Sequence, residues 1–137
     1  MRFISLQQVR FSHVDAAGIV FYPRYFEMLN AALEDYFASV VGCDFATMHL
    51  GRRIGVPTVK IEVSFQAVSR LGDLLEFALE PIRVGTSSAD FQVTVLHQGE
   101  TRFSGHIVLV CMDLDKARSL PWPDDLRPKT GREQLQA

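Results

Sequence analysis

Between residues 58 and 66 the chain alternates. Val59, Ile61, Val63 and Phe65 are apolar, and Lys60, Glu62, Ser64 and Gln66 are polar. Successive side chains of a strand point to opposite faces, so this stretch predicts a strand with one buried face. The same pattern predicts strands over 74–83, with Leu75, Phe77 and Leu79 inward, and over 89–97, with Phe91, Val93 and Val95 inward. Turn signals separate them: Arg70-Leu71-Gly72-Asp73, Gly85-Thr86-Ser87 and the hairpin signal Gln98-Gly99. A longer strand over 101–112 is apolar on both faces from Ile107 onward, which places it inside the sheet. Residues 4–11 predict a first strand with Ile4 and Leu6 on one face and Val9 and Phe11 on the other. The change of phase at Gln7-Gln8 suggests a bulge or twist.

Residues 24–41 follow a helical period instead. Tyr25, Phe26, Met28, Leu29, Ala32, Leu33, Tyr36 and Phe37 leave only a thin polar stripe of Arg24, Glu27, Asn30 and Glu34. Pro23 suits the first helical position, because its missing N–H would be unpaired there anyway. Gly42 suits the stop. Residues 43–56 form a connector with one helical turn near 45–49, and residues 115–137 form an extended tail that frays from Pro128 onward. The order is one strand, one greasy helix, then four antiparallel strands. It predicts a single domain over 1–137 in which a curved sheet covers one side of the helix. The helix's other side, and an outer sheet face carrying Val108, Val110 and Met112, then call for a second copy of the chain, as a homodimer or a dimer of dimers.

Bulk properties narrow the function. The 137 residues carry a net charge of −2, with 47% hydrophobic and 22% charged residues. No basic field points to nucleic acid. No apolar run has the length of a membrane span, and the opening residues turn polar too soon for a secretory signal. Cys43 and Cys111 fit no metal or redox spacing and suit a reducing cytoplasm. The expectation is a soluble cytoplasmic protein.

The chemistry concentrates between the first strand and the helix, in Ser12-His13-Val14-Asp15-Ala16-Ala17-Gly18-Ile19-Val20-Phe21-Tyr22-Pro23-Arg24-Tyr25-Phe26. Asp15 lies a short loop away from a helix N-terminus, where unpaired N–H groups and the dipole favour negative charge. A carboxylate facing an oxyanion site suits attack on a carbonyl. Asp before small residues is also what an Asx turn uses. His13 lies two residues from Asp15 and, on extended chain, on its side. With Asp15 it reads as a dyad or as half a metal site or, more simply, as a histidine packed beside the loop, since no further ligands lie at useful spacing. Asn30 is the stripe residue best placed for a pocket, and Phe21 and Phe26 can line one. Thr86, Ser87 and Ser88, with Arg83 upstream, can meet a phosphate or a polar arm, or simply make a turn.

The loop resembles the active-site segment of the 4-hydroxybenzoyl-CoA thioesterase family, which runs aromatic-x-x-x-Asp-x-x-Gly-Ile/Val-Val-aromatic-Tyr-x-x-Tyr. The likeness extends from Val9 to about Asp113. It implies an α+β hotdog fold, a curved five-stranded antiparallel sheet wrapped around one long central helix. It also implies hydrolysis of an acyl- or aryl-CoA thioester. By resemblance, Asp15 is the catalytic carboxylate and the Tyr22 backbone N–H polarises the carbonyl. Gly18 lets the loop approach substrate, and Tyr25 is structural. Pro23, after the first Tyr, matches aryl-CoA members, whereas acyl-CoA members of the Tol-Pal type carry His there. Phe26 stands where the aryl enzyme has a polar residue, and Val84 and Gly85 follow Arg83 where more positive charge is expected.

The reading is therefore a homodimeric or homotetrameric thioesterase acting on a 4-hydroxybenzoyl-CoA- or benzoyl-CoA-like ester. Asp15 acts as nucleophile or general base. His13, Phe21, Pro23, Phe26, Asn30, Arg83, Ser87 and Ser88 are the candidate substrate contacts. No metal and no cofactor is expected, coenzyme A being part of the substrate, and neither nucleic acid nor membrane is an expected partner. The rivals are a short-chain aliphatic acyl-CoA thioesterase, a non-catalytic acyl-CoA or acyl-carrier binding module and, more distantly, a hydratase on the same fold.

Overall fold

The computed structural model describes residues 2–136. Met1 and Ala137, where the N-terminal and tail expectations begin and end, lie outside the described residues. β1 (Phe3–Gln8) leads through a short 3-10 turn to helix α1 (Pro23–Tyr36). The strands β2 (Ile54–Gly55), β3 (Thr58–Phe65), β4 (Leu74–Val84), β5 (Ser88–His97) and β6 (Glu100–Val110) follow. Then come β7 (Met112–Asp113), β8 (Arg118–Ser119) and a short helix α2 (Gly131–Gln136).

The main sheet has five antiparallel strands in the order β1-β4-β5-β6-β3, with β6 interior as expected. Leu75, Phe77, Leu79, Phe91, Val93, Val95, Phe103, Ile107 and Leu109 point from it onto one face and are buried there. Met28, Leu29, Ala32, Leu33 and Tyr36 of α1 belong to the same core, so the sheet and one side of the helix bury each other. Gly105 lets β3 come close to β6. A Cβ built there would lie 1.9 Å from the Glu62 carbonyl oxygen, so only glycine fits.

Ile4 and Leu6 share one face of β1, as expected, and it is the outer, exposed one. Ser5 and Gln7 take the inner face, because polar partners wait there: Ser5 Oγ donates to Asp35 Oδ2 at 2.8 Å, and Gln7 Nε2 donates to the Met28 carbonyl at 2.7 Å. Three expectations need correction. Phe11 is not in a strand but in the 3-10 turn, exposed. Met112 leaves the main sheet and joins a separate three-stranded sheet of β2, β7 and β8. The tail does not fray at Pro128. Trp122, Leu126 and Pro128 are buried, and α2 follows.

α1 is also less enclosed than its composition suggests. Glu27, Asn30, Ala31, Glu34 and Asp35 form an uncovered face. The helix continues through a π-turn (Phe37–Val41) and ends at Gly42, whose φ of 87° is the left-handed stop that glycine tolerates.

Candidate active site

Residues 13–21 fold into a narrow hairpin. Val14 and Val20 pair as an antiparallel bridge, and the Phe21 N–H donates to the His13 carbonyl at 3.0 Å. At its tip the Gly18 N–H donates to the Asp15 carbonyl at 3.0 Å, and Gly18 has φ of 77°. The tip thus needs a residue without Cβ at this position. Asp15 is exposed, and its Oδ1 accepts the Ala17 N–H at 2.8 Å. The Asx turn read from the sequence is present, and it fixes the carboxylate's orientation. His13 is occupied locally, its Nδ1 accepting the Arg10 N–H at 2.8 Å, so Nε2 carries the proton of the neutral ring.

The hairpin runs directly into α1. Pro23 is the first helical residue. The Arg24 and Tyr25 N–H groups donate to the carbonyls of Phe21 and Tyr22, at 2.8 and 3.1 Å. The Tyr22 N–H meets no acceptor among the described residues, which leaves it as a free donor at the positive end of the helix.

Beside that donor lies a cavity of about 300 Å³, lined by Val20, Tyr22, Tyr25, Phe65, Gln66, Ala67 and Val68. Tyr22, Tyr25 and Phe65 give it three aromatic walls. Phe65 meets Tyr22 and Phe26 edge-on at 6.3 and 6.4 Å and Tyr25 at a tilt at 5.8 Å, between ring centroids. Tyr22 is 60% exposed and Phe65 48%, so the apolar walls are open to solvent. Phe21 packs edge-on against Tyr22 on the outside, 5.7 Å away.

A second hollow, of about 360 Å³, lies along the polar stripe of α1. It is lined by Glu27, Asn30, Leu33, Glu34, Phe45, Val56 and Thr58, among others. Asn30 faces this hollow, near the start of β3, whereas the aromatic cavity lies at the end of β3. A larger hollow, of about 390 Å³, sits between Tyr36, Val40 and the tail, away from the hairpin.

Within one chain, Arg83, Ser87 and Ser88 are not brought to the hairpin. The Ser88 carbonyl accepts Trp122 Nε1–H at 3.0 Å, and Trp122 stacks on Phe37 just past the last turn of α1. These residues lie about 20 Å from Tyr22, a helix length away. Cys111 is buried, and burial pushes its thiol up to about 11, so it is no nucleophile at neutral pH. Among the described residues no group of three or more His, Cys, Asp or Glu side chains converges to hold a metal ion, and no helix is long and apolar enough to cross a membrane.

Sequence reasoning read Phe65 as a core residue of an alternating strand and gave Ser69 no role. Phe65 instead lines the aromatic cavity. Ser69, fully buried, bonds both the hairpin and α1. Neither role has a local signal, since both depend on which elements meet.

A 1,4-dihydroxy-2-naphthoyl-CoA hydrolase of Thermosynechococcus vestitus is 27% identical over 119 residues, covering 86% of this chain and 81% of that protein. A gentisyl-coenzyme A thioesterase of known structure is 26% identical with a TM-score of 0.81, over 90% of this chain and 98% of the other. A 1,4-dihydroxy-2-naphthoyl-CoA thioesterase from Synechocystis shares the fold at 19% identity and a TM-score of 0.81, over 91% of this chain and 92% of the other. These relatives carry the expected enzyme class, hydrolases of CoA thioesters, and the five-stranded sheet around one long helix is the expected hotdog. Residues 9–130 match the thioesterase-like superfamily, and the chain belongs to it.

Proposed function

We propose that this protein hydrolyses an aryl-CoA thioester to the free acid and coenzyme A, with Asp15 as the catalytic carboxylate. The observation that carries the reading is the unpaired Tyr22 N–H, at the start of α1 and on the rim of a cavity walled by aromatic rings. The thioester oxygen accepts that N–H. Negative charge grows on this oxygen as the carbonyl is attacked, and one such donor is typically worth about 3 kcal/mol in the transition state. Asp15 acts either as general base, taking a proton from the attacking water, or as nucleophile, giving a mixed anhydride that water then cleaves. In both routes the C–S bond breaks and the thiolate leaves. Flat rings in the walls favour a planar acyl group over an aliphatic chain, since aromatic pairs gain beyond the area they bury. The 1,4-dihydroxy-2-naphthoyl and gentisyl esters named for the relatives, and the 4-hydroxybenzoyl ester of the family the loop resembles, are all of this kind.

The test is a thiol-release assay with 4-hydroxybenzoyl-, 1,4-dihydroxy-2-naphthoyl-, benzoyl- and butyryl-CoA, on wild type and Asp15→Asn. Release from the aryl esters that disappears in the variant supports the proposal. Equal release by both proteins removes Asp15 from the chemistry. Binding without release by either favours a binding module, and a preference for butyryl-CoA makes the protein an aliphatic thioesterase.

The working unit we propose is a dimer joined along β3. That strand is an edge of the sheet, with Val59, Ile61 and Phe65 exposed, which is an invitation to pair. Antiparallel pairing about a two-fold axis sets the end of one β3 against the start of the other. The aromatic cavity of one protomer then meets the Asn30 hollow of its partner. Light scattering should give at least twice the 15.4 kDa chain mass, and Ile61→Lys should reduce it to a monomer and abolish turnover. A wild-type monomer with full activity rules this arrangement out.

A further inference from the structure

We infer that Ser69 is a positioning residue that holds the hairpin and the start of α1 at one fixed separation, and so sets the distance between the Asp15 carboxylate and the Tyr22 N–H. The inference rests on the hydrolase reading above.

Ser69 lies in the turn between β3 and β4 and is fully buried. Leaving a buried hydroxyl unbonded is costly, so its partners matter. Here its Oγ accepts the Tyr25 Oη–H at 2.9 Å. Its backbone carbonyl accepts the Val20 N–H, also at 2.9 Å. Tyr25 sits in the first turn of α1, three residues after Tyr22, with its ring held 4.9 Å from Phe103. Val20 closes the hairpin that carries Asp15. Beside it, the Leu71 N–H donates to the Gly18 carbonyl at 3.1 Å, and Ile19 bridges Arg70. One residue thus grips the hairpin with its backbone and the helix start with its side chain.

Removing the hydroxyl leaves Tyr25 Oη in a buried site without its acceptor. The bond that ties the first helical turn to the β3–β4 turn is then gone, and the phenol and the helix start are free to shift. Val20 stays where the Ser69 carbonyl holds it, so the two halves of the site drift apart. A displacement of about 1 Å between reacting groups costs on the order of 10²-fold in rate.

The experiment uses the full chain and an aryl-CoA ester that the wild type turns over. It compares Ser69→Ala, Ser69→Thr, Tyr25→Phe and the double variant Ser69→Ala/Tyr25→Phe, with kcat, KM and Tm measured for each. We expect Ser69→Ala to lower kcat roughly 10- to 100-fold with KM little changed. Tyr25→Phe should do the same, the double variant should be no worse than the poorer single, and Ser69→Thr should recover most of the rate. Should Ser69→Ala fail to fold, Tyr25→Phe removes the same bond from the other side and decides the matter. A near-wild-type kcat in Ser69→Ala or Tyr25→Phe, a loss seen only in KM, or singles whose effects multiply in the double variant would overturn the inference. If these occur while Asp15→Asn is inactive, this inference alone fails. If wild type releases no thiol, or Asp15→Asn matches it, the hydrolase reading fails and this inference with it.

Discussion

The two ends of α1 are built from the same kinds of residue and finished in opposite ways. Past its last turn the chain covers its own helix. Trp122 stacks on Phe37 with rings 22° from parallel, Leu126 is fully buried, and the Arg127 guanidinium donates to the carbonyls of Val84 and Gly85 at 3.2 and 3.3 Å. At the first turn, Phe21, Tyr22 and Phe65 lie half open to water around an N–H that meets no acceptor among the described residues. Burying such rings is worth about 1.5–3 kcal/mol each. The chain takes that gain at one end and leaves it at the other. The difference suits the proposed site, with stability collected at the closed end, and apolar walls and a polar donor kept free at the open one.

The largest effects should separate these ends by kind. Asp15→Asn at the open end should lower kcat roughly 10²- to 10⁴-fold, the range for losing a catalytic acid–base group. Tm should barely change, because the side chain is exposed and Asn can still accept the Ala17 N–H. Leu126→Ala at the closed end should do the reverse. It removes a fully buried side chain and should cost about 2–5 kcal/mol in denaturant unfolding, with kcat unchanged well below the melting temperature. If Leu126→Ala lowers kcat as strongly as Asp15→Asn, the two ends are not independent and the comparison fails.

The open end was largely legible in the sequence and the closed end was not. Pro23, Gly18 and the carboxylate before small residues carry their meaning in their own backbone requirements, which no tertiary contact alters; at the closed end only the Gly42 stop does so. Strand faces were legible for β4, β5 and β6, where alternation meets a helix. On β3 the same alternation is perfect, yet Val59, Ile61 and Phe65 are exposed, because periodicity reports a face and not what covers it. On β1 it gave the shared face of Ile4 and Leu6 but not its direction, since Ser5 and Gln7 turn inward to polar partners on α1 that lie far along the chain. The tail has no period at all. Its Pro-rich run nonetheless buries Trp122, Leu126 and Pro128, the first two against the main core. Ser69 is the extreme case, a turn serine whose two bonds reach Val20 and Tyr25.

A matched pair of glycines sharpens the contrast at smaller cost. Gly18 at the open end and Gly42 at the closed end have φ of 77° and 87°, and a Cβ at either would meet nothing within 4 Å. Gly→Ala at both should therefore cost the same, about 1–2 kcal/mol of left-handed strain and no steric clash. Only Gly18→Ala should also lower kcat, because relief of strain in that hairpin moves Asp15. Equal kinetics in the two variants would mean that the hairpin tip does not position the carboxylate.

The smallest effect should come from a group that belongs to neither end. His106 lies on the outer face of the sheet, where Nδ1 is 3.0 Å from Asp90 Oδ1 and Nε2 is 2.9 Å from Glu62 Oε2. Lys60 Nζ is 3.2 Å from the other Glu62 oxygen. An imidazole can donate from both nitrogens only when charged. The Glu62 contact first, and Asp90 second, raise the His106 pKa above its ordinary 6.5. His106 and then Lys60 hold Glu62 below its ordinary 4.5. A raised basic group stabilises the fold fully below its unfolded pKa, and that contribution is lost as pH rises through the folded one. A lowered acid does the opposite, contributing above 4.5 and losing its contribution as pH falls. The charged set is therefore complete between about pH 5 and 6. There His106→Gln should melt slightly below wild type, and the gap should close as pH climbs past the raised His106 value. Because the set lies away from Asp15 and Tyr22, kcat for an aryl-CoA ester should not follow the gap. If it does, the outer face of the sheet is coupled to the open end of α1, and that end is less self-contained than its geometry implies.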